Sequence, residues 1–191
     1  IGISVGSMAM ILSVSVLNGF ESRIVEKIIG FEGDIKLTGN FNYDDNLKKI
    51  KQIKSVDGIM PYMDRVGLMI ANDNSTRMIT FKSIDLSKIE KFYDINIDVM
   101  DNYDHPKIVL GKTTASRMNL MVGDEIKIMS PLDQNFALGF PRQIRVTVGG
   151  IFNIQVLDLN DKIAFIEEDA GATLFLRKDK YDGIDIRIKQ E

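Results

Sequence analysis

The chain has 191 residues, 45% of them apolar, with 24 Lys and Arg against 27 Asp and Glu. That length and apolar content suffice for a buried core in one ordinary domain or two small ones, and the slightly acidic balance with no dense basic block excludes the electrostatic attraction on which nucleic-acid binding depends. The lack of cysteine excludes thiol nucleophiles, zinc ribbons and disulfides, and the lone histidine, His105 before Pro106, cannot make a histidine-cluster metal site and reads as a loop residue in solvent.

Residues 1–20, "IGISVGSMAMILSVSVLNGF", contain no charged side chain. About 20 apolar residues at about 1.5 Å each cross a bilayer as a helix, and the stretch has neither the basic start nor the small-residue cleavage site of a secretory signal. Gly2, Gly6, Ala9 and Ser13 fall on one narrow helical face, the kind that lets membrane helices pack closely. The competing reading is a buried core helix of a soluble protein. A start at Ile1 without methionine leads to the expectation of a piece of a longer protein.

The helix continues through "ESRIVEKIIG" to a break bracketed by Gly30 and Gly33, and "DIKLTG" alternates as a strand does. "DDNLKKIKQIKS" predicts a short amphipathic helix with Leu47, Ile50 and Ile53 on its apolar side and lysines in solvent. From Val56 to Asp85 the pattern is a hairpin, "VGLMIA" and "TRMITFKSID" around the turn "NDNS", with Met78, Thr80 and Lys82 on the face opposite Ile79 and Phe81. "KTTASRMNLMVGDEIKIMS" reads as a short helix, a Gly-Asp turn and a strand from Glu125 to Met129, and "RQIRVTVGGIF" as a further strong strand.

Between these two strands lies "SPLDQNFALGFPRQ", residues 130–143, which joins them as an extended hairpin tip. Loops are normally polar, so Leu132, Phe136, Leu138 and Phe140 in one connection point to something the loop touches. The alternative is that these side chains fold back as a satellite core. The chain closes with "KIAFIE" as a strand, "EEDAGATLFL" as a helix and "GIDIRIK" as a strand.

Two α/β pieces thus flank a β-rich middle, a discontinuous α+β fold with the β-rich part inserted. The expected divisions are 1–22 for the end of a transmembrane helix, 23–65 and 158–191 for the α/β subdomain, and 66–157 for the inserted subdomain. Catalytic signals are missing. Asp44-Asp45 and Glu167-Glu168-Asp169 stand at predicted helix starts, where carboxylates are favoured by capping and the macrodipole; Asp158 and Asp161 in "DLND" read as a turn; and "VGDEI" lacks the lysine and length of a phosphate loop. No cofactor is expected.

Five collinear stretches carry a family resemblance. Ser15 to Glu21 has the serine-x-x-asparagine-glycine-phenylalanine-glutamate ending typical of the first transmembrane helix of LolC and LolE, the permease subunits of the lipoprotein-releasing ABC transporter. "VDGIMPYM" at 56–63, "FKSID" at 81–85, "IVLGKTTASRMNLMVGDEIKIMSP" at 108–131 and "VTVGGIF" at 146–152 follow in order, so the resemblance covers nearly the whole chain. The wider superfamily includes the MacB-type and FtsX-type permeases.

The resemblance implies a MacB-like extracytoplasmic domain, a porter-like α/β subdomain with an inserted β-rich subdomain, on the periplasmic side of a bacterial inner membrane. It implies a separate cytoplasmic ABC ATPase subunit, a second permease subunit of the same or a sister kind, an acylated lipoprotein substrate, and a LolA-like periplasmic lipoprotein chaperone that receives it. The domain would couple ATP-driven motion to lipoprotein release. In LolC the hairpin tip is a hook that enters the chaperone beside a polar pad; here the matching tip is Phe136, Ala137, Leu138, Gly139, Phe140 and Pro141, with Lys127, Arg142 and Gln143 near the pad positions. Ala137-Leu138 replaces the proline-methionine pair usual at the apex. The rival readings are a MacB-like efflux or FtsX-like signalling permease, a soluble enzyme or ligand-binding domain, and a purely structural interaction module. A further helix of the α/β subdomain is expected beyond "GIDIRIKQE".

Overall fold

A computed structural model of the chain describes residues 2–39, 43–98, 106–134, 139–154, 157–176 and 181–189. The charge-free start forms helix α1, Gly2–Glu32, whose 31 residues extend about 46 Å. It stops where Gly33 takes the left-handed conformation, φ 85°, that a helix end favours and that only glycine adopts without strain.

Strand β1, Ile35–Thr38, runs antiparallel to the last strand, β8, Gly183–Ile188, and β8 runs antiparallel to the first half of β2, Val56–Ile70. Helix α2, Tyr43–Lys51, covers this small sheet. Its Tyr43 and Ile50 are buried with Tyr181, Ile184 and Ile186, and Leu47 packs beside them; a fully buried side chain such as Ile50 contributes about 1.5–3 kcal/mol. The expected apolar stripe is cut short, because the helix ends at Lys51 and leaves Ile53 exposed.

The 15-residue β2 belongs to two sheets. Val56–Tyr62 pair with β8, and from Met63 onward the strand pairs with β3, Thr76–Ile84. Pro61, which has no N–H to donate, stands just before that change of partner.

The remaining strands close a ring. β3 pairs with β7 (Ile163–Glu167), β7 with β4 (Lys107–Gly111), β4 with β6 (Pro141–Phe152), β6 with β5 (Glu125–Gln134), and β5 returns to β2 through Leu68↔Met129 and Ile70↔Lys127. Among the described residues this is a six-stranded barrel, filled by side chains such as Met69, Phe81, Ile128 and Val148. The sequence-based divisions at 66 and 158 do not coincide with this pairing. Barrel pairing starts at Met63, and β7, expected in the second α/β piece, lies between β3 and β4.

Short helices cap the strands. After β3 come a 3₁₀ turn, Leu86–Lys88, and α3, Ile89–Tyr93; α4, Lys112–Arg117, follows β4. "DLND" belongs not to a turn but to a helix, α5, Leu157–Lys162. Asp161 there accepts from Arg77 of β3 and, at 2.7 Å, from Arg117 of α4. Gly111 has no room for a Cβ because the Asn160 backbone lies against it, so the close approach of α5 to β4 requires glycine. Helix α6, Glu168–Leu174, places Glu168 and Asp169 in its first turn, and its Ala170 and Leu174 reach the barrel core.

Candidate functional site: a hairpin anchored on the barrel

Strands β5 and β6 form the antiparallel hairpin that the sequence predicts, with a shorter tip. Pairing runs from Glu125↔Thr147 to Ser130↔Arg142 and resumes at Gln134↔Pro141. Three residues of β5, Pro131, Leu132 and Asp133, therefore bulge where β6 has none, and such bulges re-aim side chains.

The bulge sorts its side chains by polarity in an unexpected sense. Leu132 is 72% exposed, whereas Asp133 is 4% exposed. Asp133 Oδ1 accepts from Arg65 Nη2 of β2 at 3.3 Å and from the Leu176 amide beyond α6 at 3.0 Å, and Oδ2 accepts from Ser130 Oγ. Arg65 Nε also lies 3.2 Å from Oδ2, at an angle that makes an ion pair and not a hydrogen bond. One carboxylate thus ties the bulge of the hairpin to β2 and to the end of α6, and sequence reasoning missed it. The available signal was an acid three residues after a serine beside a proline, inside a loop that otherwise carries apolar side chains.

At the tip, Gly139 has φ 69° with open space around it, and Phe140 is 69% exposed. Pro141 is half-buried and pairs with Gln134. Phe136, Ala137 and Leu138 lie outside the described residues. Leu132 and Phe140 do not fold back onto the barrel, so a satellite core does not account for them.

The pad residues do not share one face. Lys127 and Gln143 point outward, opposite Arg145 and Met129 respectively, while Arg142 pairs with Ser130 on the other face and donates from Nη1 to Thr173 O of α6 at 2.8 Å. The outward cation beside Lys127 is Arg145, which the sequence reading left out.

A buried polar knot lies where the barrel meets the small sheet. The alternation along β3 puts Lys82 on the face of Met78, opposite Ile79 and Phe81; Met78 is exposed, but Lys82 is buried. Lys82 Nζ sits 2.5 Å from Asp185 Oδ2 of β8, 4.5 Å above the Tyr62 ring and 5.0 Å from the Tyr93 ring. Tyr93 OH donates to the same Oδ2 at 3.0 Å, while Asp185 Oδ1 is buried without a hydrogen bond among the described residues. Burial pulls the Lys82 ammonium below the usual lysine range, against the opposing pull of Asp185. Burial first, and then the Asp185 charge, push the Tyr93 phenol well above 10. At the surface, hydrogen bonds from Lys88 and Ser87 hold Asp85 below the usual carboxylate range, and those from Ser75 do the same for Asp73.

In α1, Gly2–Gly19 have a mean hydropathy of 1.5 and none of them is buried. Gly2 and Gly6 face open space, and Ser13 Oγ donates to Ala9 O at 2.9 Å, as Ser7 does to Ile3 O. The hydroxyls are thus satisfied within the helix, as an apolar surround requires. Among the described residues no cluster of three or more His, Asp or Glu is arranged to hold a metal.

The chain thus combines an unburied apolar helix with a barrel-and-sheet domain from which one hairpin projects. The whole chain, residues 1–191, matches the MacB-like periplasmic core domain, and it belongs to that family. It is 23% identical over 197 residues to the lipoprotein-releasing system transmembrane protein LolC of Buchnera aphidicola subsp. Schizaphis graminum, covering 99% of this chain and 49% of that protein. The LolC protein of Buchnera aphidicola subsp. Acyrthosiphon pisum is 22% identical over 138 residues, 68% of this chain and 34% of that one. The chain therefore spans about half the length, or less, of the curated relatives it matches.

Among solved structures, the periplasmic region of MacB from Actinobacillus actinomycetemcomitans is similar with a TM-score of 0.57 at 10% identity, covering 88% of this chain and 81% of that one. The extracellular domain of the noncanonic ABC-type transporter YknZ from Gram-positive bacteria has a TM-score of 0.54 at 14% identity, over 78% and 74%. Likeness at these identities is likeness of fold.

Proposed function

We propose that this chain is the membrane-anchored periplasmic domain of an ABC-transporter permease that releases acylated lipoproteins from the inner membrane, and that the β5–β6 hairpin receives the soluble chaperone to which they pass. The observation that carries the reading is the hairpin itself. Its bulge and tip expose Leu132 and Phe140, the bulge is fixed by Asp133 with Arg142 beside it, and the hairpin occurs in a chain similar to LolC over nearly the whole of this chain. An apolar tip, with the outward-facing Lys127 and Arg145 lower on the hairpin, suits a partner that offers an apolar cavity with an acidic rim.

In this reading α1 spans the membrane, a second permease subunit stands beside it, and a separate cytoplasmic ATPase supplies the motion. The anchored bulge matters because motion reaching the barrel moves the tip only if the hairpin is stiff. The test is ATP-dependent release of a lipoprotein from proteoliposomes holding the full permease, its ATPase and the chaperone. Phe140→Asp with Leu132→Asp is expected to reduce transfer to the chaperone by about tenfold or more while leaving ATP hydrolysis intact. Unchanged transfer would turn the reading toward a MacB-like efflux or FtsX-like signalling permease.

A further inference from the structure

A row of apolar side chains crosses the outer face of the barrel and runs into the hairpin. Along β2 the barrel interior takes Gly67 and Met69, so Val66, Leu68 and Ile70 point outward. Leu68 pairs with Met78 of β3 on one side and with Met129 of β5 on the other, and Met129 pairs with Gln143 of β6. Directly opposed residues share a face, so Met78, Leu68 and Met129 form one continuous row across three strands. Met78 is 70% exposed and Val66 47%, while Leu68, Ile70 and Met129 are half-buried. Met129 stands three residues before the exposed Leu132, so the row opens onto the hairpin bulge.

Polar residues confine the row to a narrow ribbon. Thr76 and Lys127 pair with Ile70, Thr80 pairs with Val66, and Gln143 closes the end beyond Met129. A stable protein partner needs about 800 Å² on each side. Five side chains, three of them half-buried, do not offer that, whereas a flexible, chain-like apolar molecule needs only a ribbon. Methionine at both ends suits such an occupant, because the unbranched thioether re-packs against varied shapes.

We propose that the row Met78, Leu68 and Met129 is a rest for an acyl chain of the cargo in passage between the membrane and the hairpin tip. The proposal rests on the lipoprotein-releasing reading above and gives the apolar part of the cargo a place on the domain. An acyl chain lifted from a bilayer exposes apolar surface to water until the chaperone cavity encloses it, and an apolar ribbon along the route lowers that cost. The continuity of the row with Leu132 and the hairpin supplies the route.

The test uses the full permease and its ATPase in proteoliposomes with a lipoprotein whose acyl chain carries a photoactivatable diazirine, the chaperone being omitted. On addition of ATP, adducts are expected on the β2, β3 and β5 peptides that hold Leu68, Met78 and Met129. Met78→Glu should lower that yield by about tenfold. Met78→Leu should keep it, which separates lost apolar contact from lost folding, and Asn72→Glu, in the exposed turn after β2, should leave it unchanged. Adducts absent from these strands, or insensitive to Met78→Glu, would overturn the proposal. A second arm, without acylated cargo, compares capture of the chaperone from a photo-crosslinking amino acid at Phe140 with and without Met78→Glu. Capture lost only in that variant would make the row part of the chaperone's seat and would also overturn the proposal. Capture missing from the unsubstituted permease would instead overturn the chaperone reading, so the two can fail separately.

Discussion

Lys82 shows how a single side chain can contradict its own strand. Alternation places it on the face of Met78, opposite the core-facing Ile79 and Phe81, yet β8 and α3, contributed by residues about a hundred positions and ten positions further on, cover it. Local periodicity cannot register a cover supplied by Asp185, so this part of the fold was illegible in the sequence. Removing one member of a buried pair strands the other, so Lys82→Met or Asp185→Asn should each cost about 3–5 kcal/mol. The double variant Lys82→Met with Asp185→Leu should cost clearly less than the sum of the singles, as read from urea unfolding. Tyr93 supplies a pH signature. Its folded-state value is raised, so the unfolded chain gives up the phenol proton first, near 10, and the stability it contributes below that pH is lost as pH rises further. The lowered Lys82 value acts in the opposite sense, raising stability with pH up to about 10.5. Tyr93→Phe is expected to flatten the alkaline fall while keeping the lysine-linked rise, and to cost about 1.5–3 kcal/mol at neutral pH through the lost bond to Asp185.

The hairpin is the element on which the functional reading turns. Its two strands were legible because β-branched and apolar residues alternate on both sides of a proline- and glycine-marked loop. The bulge was not, since a buried aspartate in a loop looks from sequence like any solvated one. Asp133→Ala should leave Arg65 and the Leu176 amide without their acceptor and cost about 2–4 kcal/mol. Its clearer effect should be faster amide hydrogen exchange in 125–134 and 141–152 relative to β3, because the tie between the hairpin and the rest of the barrel is gone. Exchange unchanged in those strands would mean that strand pairing alone holds the hairpin. Helix α5 escaped the sequence reading for another reason: six residues are too few to show a period, and what holds it is the glycine-permitted approach to β4 and the two arginines on Asp161. Length likewise limited α2, which stops two residues before its apolar pattern does.

For the molecule as a whole, hydropathy was the most legible feature. The charge-free start gives one long helix with no part of Gly2–Gly19 buried, which disfavours the core-helix alternative. The α+β class was legible too, because strand-like and helix-like periods alternate along the chain. The topology was less so: β7 is continuous in sequence with an α/β piece, but its neighbours in the barrel are β3 and β4. Since Gly2–Gly19 are not buried, removing residues 1–19 from the 191-residue chain, expressed by itself, should abolish its carbonate-resistant membrane association and change its Tm by no more than about 2–4 °C. A larger loss would mean that the helix packs on the domain after all.

The central claim is that the exposed hairpin tip docks a soluble lipoprotein chaperone. We would place a photo-crosslinking amino acid at Phe140, and in parallel at Phe136 and Leu138, in the full permease in cells, with Asn72 as the solvent-facing control. The account predicts capture of a periplasmic chaperone from the tip positions and not from Asn72. Adducts confined to the same chain, or equal capture from Asn72, would contradict it.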